Sequence, residues 1–78
     1  MNQIQYIIYK ILRKTGVRRE DILASKDFRD ELGFDSLEIL YMANQLEINF
    51  HIVIPDEDIS RFTNMNNTVK YLTEKLCA

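Results

Sequence analysis

The sequence has few of the residues from which metal and redox sites are built. Among its 78 residues are one cysteine, one histidine, one proline and two glycines. A single cysteine, Cys77, excludes an intrachain disulfide. One cysteine and one histidine cannot supply a zinc site of the usual kind. We therefore predict no metal centre, and we expect His51 to be a surface residue at a helix end.

Recognisable catalytic patterns are also missing. No serine has a convincing histidine and acid to accompany it, and neither a Gly-rich phosphate loop nor an HExxH motif occurs. We therefore predict that the chain is not an enzyme by itself. No apolar run has membrane-spanning length, and residues 1–5 lack the basic region and apolar stretch of a signal peptide. We expect no membrane span and a cytoplasmic protein.

What the sequence does contain fits one small domain. With 46% hydrophobic and 28% charged residues, the composition is typical of a soluble globular protein rather than a disordered chain. We predict a single domain over residues 1–78. Residues 1–34 carry a charge of +2, residues 35–62 carry −5 and residues 63–78 carry +1. The acidic middle part either steers basic partners and repels nucleic acid or is a solvated face.

Apolar spacing predicts an all-α four-helix bundle. Three longer helices, over about residues 2–14, 36–50 and 65–76, follow from apolar residues at spacings of three and four. A short third helix over about 56–61 begins with acids, which the helix dipole favours. The residues expected to face inward are Ile4, Ile7, Ile8, Ile11, Leu12, Met42, Ala43, Leu46, Phe50, Ile54, Ile59, Phe62, Met65, Val69, Leu72 and Leu76, with Tyr71 beside the last stripe.

Residues 15–35 are predicted to form a long first loop with a short helical turn at residues 20–23. A loop of this length in a compact domain is uncommon unless it is functional or tied down. Phe28 is expected to be its main anchor in the core, because an aromatic side chain brings a large buried area. Other apolar residues that can tie the loop down are Val17, Ile22, Leu23, Leu32 and Phe34.

The start of the second longer helix has features of a modification site. Asp35 and Glu38 have the spacing of a capping box, which leaves Ser36 at the first helical position with its hydroxyl pointing outward. Free backbone N–H groups and the positive end of the helix dipole suit a phosphate at this place. Ser36 is thus a candidate for a phosphodiester, although a serine near a helix start is usually a cap or a solvated residue.

The segment around Ser36 resembles the attachment site of acyl carrier proteins. In that family the serine of an Asp-Ser-Leu triplet, here Asp35-Ser36-Leu37, carries 4'-phosphopantetheine. Asp30-Glu31-Leu32-Gly33-Phe34 before the triplet and Ile54-Pro55-Asp56-Glu57 after it are also similar to the family, and the likeness in order and spacing extends from Ile4 to Leu76. The resemblance implies an acyl-carrier-like four-helix bundle with a long first loop and a short third helix.

The resemblance also implies a function and its residues. A separate phosphopantetheinyl transferase would move 4'-phosphopantetheine from coenzyme A to Ser36, beside Asp35 and Leu37. The arm would then hold an acyl chain as a thioester for acyl-transfer and chain-elongation enzymes, in fatty-acid or related lipid biosynthesis. The residues implied in partner recognition are Leu37, Glu38, Tyr41, Glu47, Ile48, Asp56 and Glu57. Those implied in sheltering the acyl chain, which also suit an ordinary core, are Phe28, Ala43, Leu46, Ile54, Ile59, Phe62 and Leu72.

One departure from the family pattern leaves alternatives open. Fatty-acid carriers tend to have an acid-rich second helix, whereas this chain has Tyr41, Asn44, Ile48 and Asn49 there. Exposed together, Leu37, Tyr41 and Ile48 would form a partner surface. Two alternatives to a carrier in lipid biosynthesis stay open. One is a carrier of polyketide, peptidyl or aminoacyl groups in a specialised pathway, and the other is an unmodified helical interaction module. DNA binding is disfavoured because residues 36–50 contain no Lys or Arg, so we expect no nucleic-acid partner. We also predict a monomer.

Overall fold

The structure, a computed structural model, describes residues 2–77. Its α-helices are α1 (Gln3–Leu12), α2 (Arg19–Ala24), α3 (Phe28–Leu32), α4 (Ser36–Phe50) and α5 (Met65–Cys77). Two 3₁₀ helices cover Arg13–Thr15 and Asp56–Arg61, and the second is called the 3₁₀ segment below. Residues 2–77 contain no strand, and the predicted all-α fold is confirmed. No helix in this range is both long enough and apolar enough to cross a membrane.

The three longer helices lie where apolar spacing predicted them. α4 begins and ends at the predicted residues. α1 begins after Asn2, whose side-chain oxygen accepts a hydrogen bond from the N–H of Gln5 at 2.8 Å. α1 ends at Leu12 rather than near the predicted residue 14, because residues 13–15 tighten into a 3₁₀ turn. Gly16, with a φ of 86°, then stops the helix.

The predicted long loop contains a helix that the sequence pattern did not reveal. Within residues 15–35, α2 lies close to the predicted turn, whereas α3 was not predicted. Oδ1 of Asp27 caps α3 by accepting from the N–H groups of Arg29 and Asp30 at 2.8 and 3.1 Å. Gly33, with a φ of 74°, ends it. A helix of 5 residues is too short to show an apolar period, so its cap and its glycine define it instead.

A single cluster of buried apolar side chains lies between the helices. α1 contacts both α4 and α5, and all three contribute to the cluster. Phe28 and Phe62 are the largest of its fully buried side chains. The buried apolar residues are Ile8, Ile11, Leu12, Ile22, Phe28, Phe34, Ile39, Met42, Ala43, Leu46, Ile54, Phe62, Met65, Tyr71 and Leu72.

Phe28 anchors the segment that holds α2 and α3, as predicted. Its side chain is fully buried, and its ring centroid lies 5.7 Å from that of Phe34. Its N–H donates to the carbonyl oxygen of Thr63 at 2.6 Å. Close by, Nδ2 of Asn64 donates to the carbonyl of Lys26 at 3.0 Å. Side-chain packing and backbone bonds therefore join this segment to the turn that precedes α5.

Some predicted core positions are wrong. Leu23 and Leu76 were expected to pack inward but are 40% and 43% exposed, and Ile59 is only partly buried. On α5, Thr68 and Tyr71 occupy buried positions instead. The hydroxyl of Thr68 donates to the backbone carbonyl four residues earlier at 2.8 Å. Because that hydroxyl is satisfied, a polar side chain fits in the core.

Tyr71 links α5 to the 3₁₀ segment. Its ring meets that of Phe62 edge to face with centroids 5.1 Å apart, and its hydroxyl donates to Oδ2 of Asp58 at 2.7 Å. The guanidinium of Arg61 lies 4.9 Å from the Tyr71 ring centroid. Burial and the bond to Asp58 raise the pKa of Tyr71 from 10.0 to about 12, because the ionised phenol would lose its hydration and could no longer donate.

We expect Phe28→Ala to lower the free energy of unfolding by about 3–5 kcal/mol, because it leaves a cavity in a core that cannot fully collapse. That loss would approach the whole stability of a small domain. Urea unfolding followed by circular dichroism measures it. Leu23→Ala, in the same segment but 40% exposed, is the control and should cost clearly less, about 1–2 kcal/mol. A loss below about 1 kcal/mol for Phe28→Ala would contradict the anchor.

The raised pKa of Tyr71 predicts a loss of stability at high pH. A group whose pKa is higher in the folded protein than in the unfolded chain stabilises the fold fully below its unfolded pKa. That stabilisation is lost as pH rises through the folded pKa. Between pH 10 and about 12, the wild type should therefore lose more unfolding free energy than Tyr71→Phe, in which this ionisation is absent. Urea unfolding of both proteins across this range tests it, and identical pH dependence would refute it.

Candidate functional site

The start of α4 is held by the predicted capping box. Oδ1 of Asp35 accepts from the N–H of Glu38 at 2.9 Å, and Oε1 of Glu38 accepts from the N–H of Asp35 at 3.5 Å. The N–H of Ile39 then makes the first intrahelical bond, to the carbonyl of Asp35 at 3.1 Å. Phe34 before the cap and Ile39 after it are both buried. The helix start is thereby fixed to the core from both sides.

Ser36 occupies the first position of α4 and is exposed. The N–H groups of Ser36 and Leu37 precede the first intrahelical bond, so helix geometry gives them no partner within α4. They add to the positive end of the helix dipole next to the Ser36 hydroxyl. The Asp35 carboxylate is turned towards the N–H of Glu38 rather than towards Ser36. The site therefore combines an accessible hydroxyl with donors that suit a phosphate.

An apolar stripe runs along the outside of α4 from the same end. Leu37, Tyr41 and Ile48, spaced by four and seven residues, are 75%, 37% and 66% exposed. The outward direction predicted for all three is confirmed. Leu40 and Val53 are exposed as well, and sequence reasoning did not assign either of them to an exposed surface. Leu40 could have been found, since apolar residues on more than one face of α4 cannot all enter the core.

The acids predicted to recognise partners fall into two groups. Asp56 and Glu57 are exposed at the start of the 3₁₀ segment. Glu38 and Glu47 are half-buried, and both accept hydrogen bonds from the backbone of this chain. Oε2 of Glu47 accepts from the N–H of Ile54 at 3.0 Å. This bond ties residues 51–55, the connector between α4 and the 3₁₀ segment, back to the helix. The two half-buried acids therefore stabilise the fold of this chain through backbone hydrogen bonds, in addition to any contact with a partner.

The residues predicted to shelter an acyl chain lie together in the core. Six of the seven are buried, and Ile59 packs against them while partly exposed. The set draws on α3, α4, the connector, the 3₁₀ segment and α5. The 3₁₀ segment itself contains no fully buried residue, so it is the most weakly packed of the elements that surround this set. The residues of the set are Phe28, Ala43, Leu46, Ile54, Ile59, Phe62 and Leu72.

Comparisons with known proteins identify the family of the chain. A family model described as "Phosphopantetheine attachment site" matches residues 5–72. The acyl carrier protein of Chloroherpeton thalassium is 34% identical over 76 residues, covering 96% of this chain and 95% of the relative. That of an Exiguobacterium species is 39% identical over 66 residues, covering 85% and 84%. That of Chlorobium phaeobacteroides is 34% identical over 74 residues, covering 94% and 95%.

The chain belongs to the phosphopantetheine-binding acyl carrier protein family. Members of the family are modified by a transferase and work with acyl-handling enzymes. Their covalently attached group is 4'-phosphopantetheine, which supplies a thiol that holds an acyl group. The start of α4 fits this group: the Ser36 hydroxyl is exposed, two N–H groups lie beside it, and the cap leaves it free.

The cap itself is testable. Asp35→Ala should lower the free energy of unfolding by about 0.5–2 kcal/mol, because the N–H of Glu38 loses its side-chain acceptor. Asp35→Ser should retain most of the stability, since serine also caps helices well. Asp56→Ala, at an exposed acid whose side chain caps nothing, is the control. Urea unfolding of the three variants compares them, and equal stability of Asp35→Ala and wild type would contradict the capping account.

Proposed function

We propose that this carrier holds acyl chains as thioesters on a 4'-phosphopantetheine arm attached to Ser36, in fatty-acid or related lipid biosynthesis. The observation that carries the proposal is the exposed Ser36 hydroxyl at the first position of α4, inside the matched family segment. The printed name of the relatives, acyl carrier protein, favours acyl groups as the cargo. The exposed apolar stripe on α4 favours a specialised polyketide, peptidyl or aminoacyl pathway as the second candidate.

The chain's own residues have distinct parts in attachment. Asp35 fixes the helix start without engaging the Ser36 hydroxyl. The N–H groups of Ser36 and Leu37, with the helix dipole, favour the negative charge of a phosphodiester at this place. The transferase brings the catalytic groups and coenzyme A. The carrier offers a rigid, reachable hydroxyl and is not itself an enzyme.

The acyl chain would lie between α4, α5 and the 3₁₀ segment. This proposal is supported by the burial of six of the seven core residues named above, against which Ile59 packs, and by the weak packing of the 3₁₀ segment. Tyr71 and Asp58 tie the 3₁₀ segment to α5 through one hydrogen bond, and Arg61 adds an exposed ion pair to Glu74 and a contact with the Tyr71 ring. Movement of that segment would therefore widen the core at little cost in buried apolar area.

Partner enzymes would meet the surface next to Ser36. The exposed positions of Leu37, Tyr41 and Ile48 on α4 support apolar contacts, and the exposed Asp56 and Glu57 support contacts with basic groups. The partners would be a phosphopantetheinyl transferase and acyl-transfer and chain-elongation enzymes. A monomeric state and a cytoplasmic location stay predictions of the sequence.

Ser36→Ala should abolish attachment and leave the fold intact. Alanine has no oxygen to form the phosphodiester, whereas the cap that holds α4 belongs to Asp35. Apo protein is incubated with coenzyme A, magnesium and a broad-specificity phosphopantetheinyl transferase, and the product is read by intact mass and peptide mapping. Circular dichroism and urea unfolding check the fold of the variant. Any loss of stability should stay below about 2 kcal/mol, the upper range for losing a cap.

Ser60→Ala is the matched control, because Ser60 is also exposed and lies in the 3₁₀ segment. It should be modified as completely as the wild type. A wild-type protein that stays unmodified with several transferases, or a label that maps to a residue other than Ser36, would overturn the proposal. Either result would favour an unmodified interaction module instead.

A further inference from the structure

A groove of about 220 Å³ runs between α1 and α4. One wall is a single stripe of α1 and the turn after it, with residues at spacings of three and four. The other wall is a stripe of α4 with residues four apart, and it begins at Tyr41, which also belongs to the apolar stripe. The lining residues are Ile7, Lys10, Ile11, Lys14, Tyr41, Gln45 and Asn49.

The groove has an apolar floor and a positively charged rim. Ile11 is buried and Ile7 is half-buried, whereas Lys10 and Lys14 are exposed. No carboxylate is among the lining residues. The ion pairs found within residues 2–77 join Arg18 to Asp21 and Arg61 to Glu74, so neither lysine of the groove has a carboxylate partner there. The ammonium of Lys10 lies 5.6 Å from the ring centroid of Tyr6.

The helix dipole explains only part of this arrangement. Cations near the end of α1 are favoured by the negative end of its dipole. The dipole does not require Lys10 and Lys14 to face the same groove, four residues apart, where like charges repel each other. A group that brings negative charge into the groove would relieve that repulsion.

We propose that this groove binds an acidic amphipathic helix of a partner protein. Two carboxylates four residues apart on such a helix match the spacing of Lys10 and Lys14. Apolar side chains on the same face would cover Ile7, Ile11 and the ring of Tyr41, as in other helix-in-groove complexes. The charge complementarity selects an acidic occupant. The interaction needs no modification of Ser36, so it can be tested independently of the proposed function.

The probe is a lactam-constrained helical peptide with two glutamates four residues apart beside two leucines. A second peptide, in which lysines replace the glutamates, is its control. Each is titrated into the full ¹⁵N-labelled chain, and amide shifts locate the contact. Binding of the glutamate peptide should perturb the groove residues and weaken with added salt, because exposed ion pairs are screened.

Charge reversal tests the two lysines. Lys10→Glu/Lys14→Glu should weaken binding of the glutamate peptide at least about tenfold, because two attractions become repulsions. Lys10→Gln/Lys14→Gln should give a smaller loss in the same direction. Lys26→Glu/Lys70→Glu makes the same charge change at exposed lysines outside the groove and should bind like the wild type. Circular dichroism checks that every variant is folded.

Several results would overturn the proposal. The first is equal affinity of the groove variants and the wild type. The second is a set of shift changes centred on Leu37 and Ile48 with none in the groove. The third is tight binding to phosphatidylglycerol vesicles that Lys10→Glu/Lys14→Glu abolishes, with no binding of the glutamate peptide, which would identify a lipid surface as the occupant.

Discussion

A reciprocal pair of hydrogen bonds between Asp35 and Glu38 determines how α4 begins. Because Asp35 supplies the cap, Ser36 enters the helix at its first position with an exposed side chain. Had Ser36 been the cap, its hydroxyl would have been bonded to the backbone and less available to another enzyme. Buried Phe34 and Ile39 on either side hold this short stretch against the core. The accessible hydroxyl, the free N–H donors and the outward direction of the apolar stripe all depend on this start.

The rest of the chain supports α4 with a small core and a few long-range bonds. Phe28 brings α2 and α3 to the core, and its N–H reaches the carbonyl of Thr63. Tyr71 ties the 3₁₀ segment to α5 by a hydrogen bond to Asp58, and Arg61 adds exposed contacts with Glu74 and the Tyr71 ring. The two connections differ in strength, since Phe28 is fully buried whereas the 3₁₀ segment buries no residue completely. The capped start of α4 and the loosely packed 3₁₀ segment thus differ in how firmly they are held, as the proposed uptake and release of an acyl chain would require.

Local signals in the sequence were sufficient for α4 and its cap, because apolar spacing and the Asp35–Glu38 pair act within a few residues. Phe28 was also predictable from the size of its side chain. α3 was missed because a cap at Asp27 and a glycine at position 33, rather than a pattern, define so short a helix. The hydroxyl of buried Tyr71 bonds to Asp58, which is thirteen residues away in the sequence. The bond from Ile54 to Glu47 forms only when the connector folds back onto α4. Neither contact could be predicted from a local pattern. The groove between α1 and α4 arises only when two helices pack, so no single stretch of sequence indicated it.

Every role proposed for the start of α4 requires Ser36 to be the attachment residue of a working carrier. The most direct measurement is the intact mass of the protein isolated from its native source, followed by fragmentation of the peptide that contains residues 34–40. If Ser36 carries the arm, the native protein contains a population heavier by one phosphopantetheinyl group, with or without an acyl chain, and the fragments assign the added mass to Ser36. A native protein that is wholly unmodified, or whose added mass lies on another residue, would contradict it.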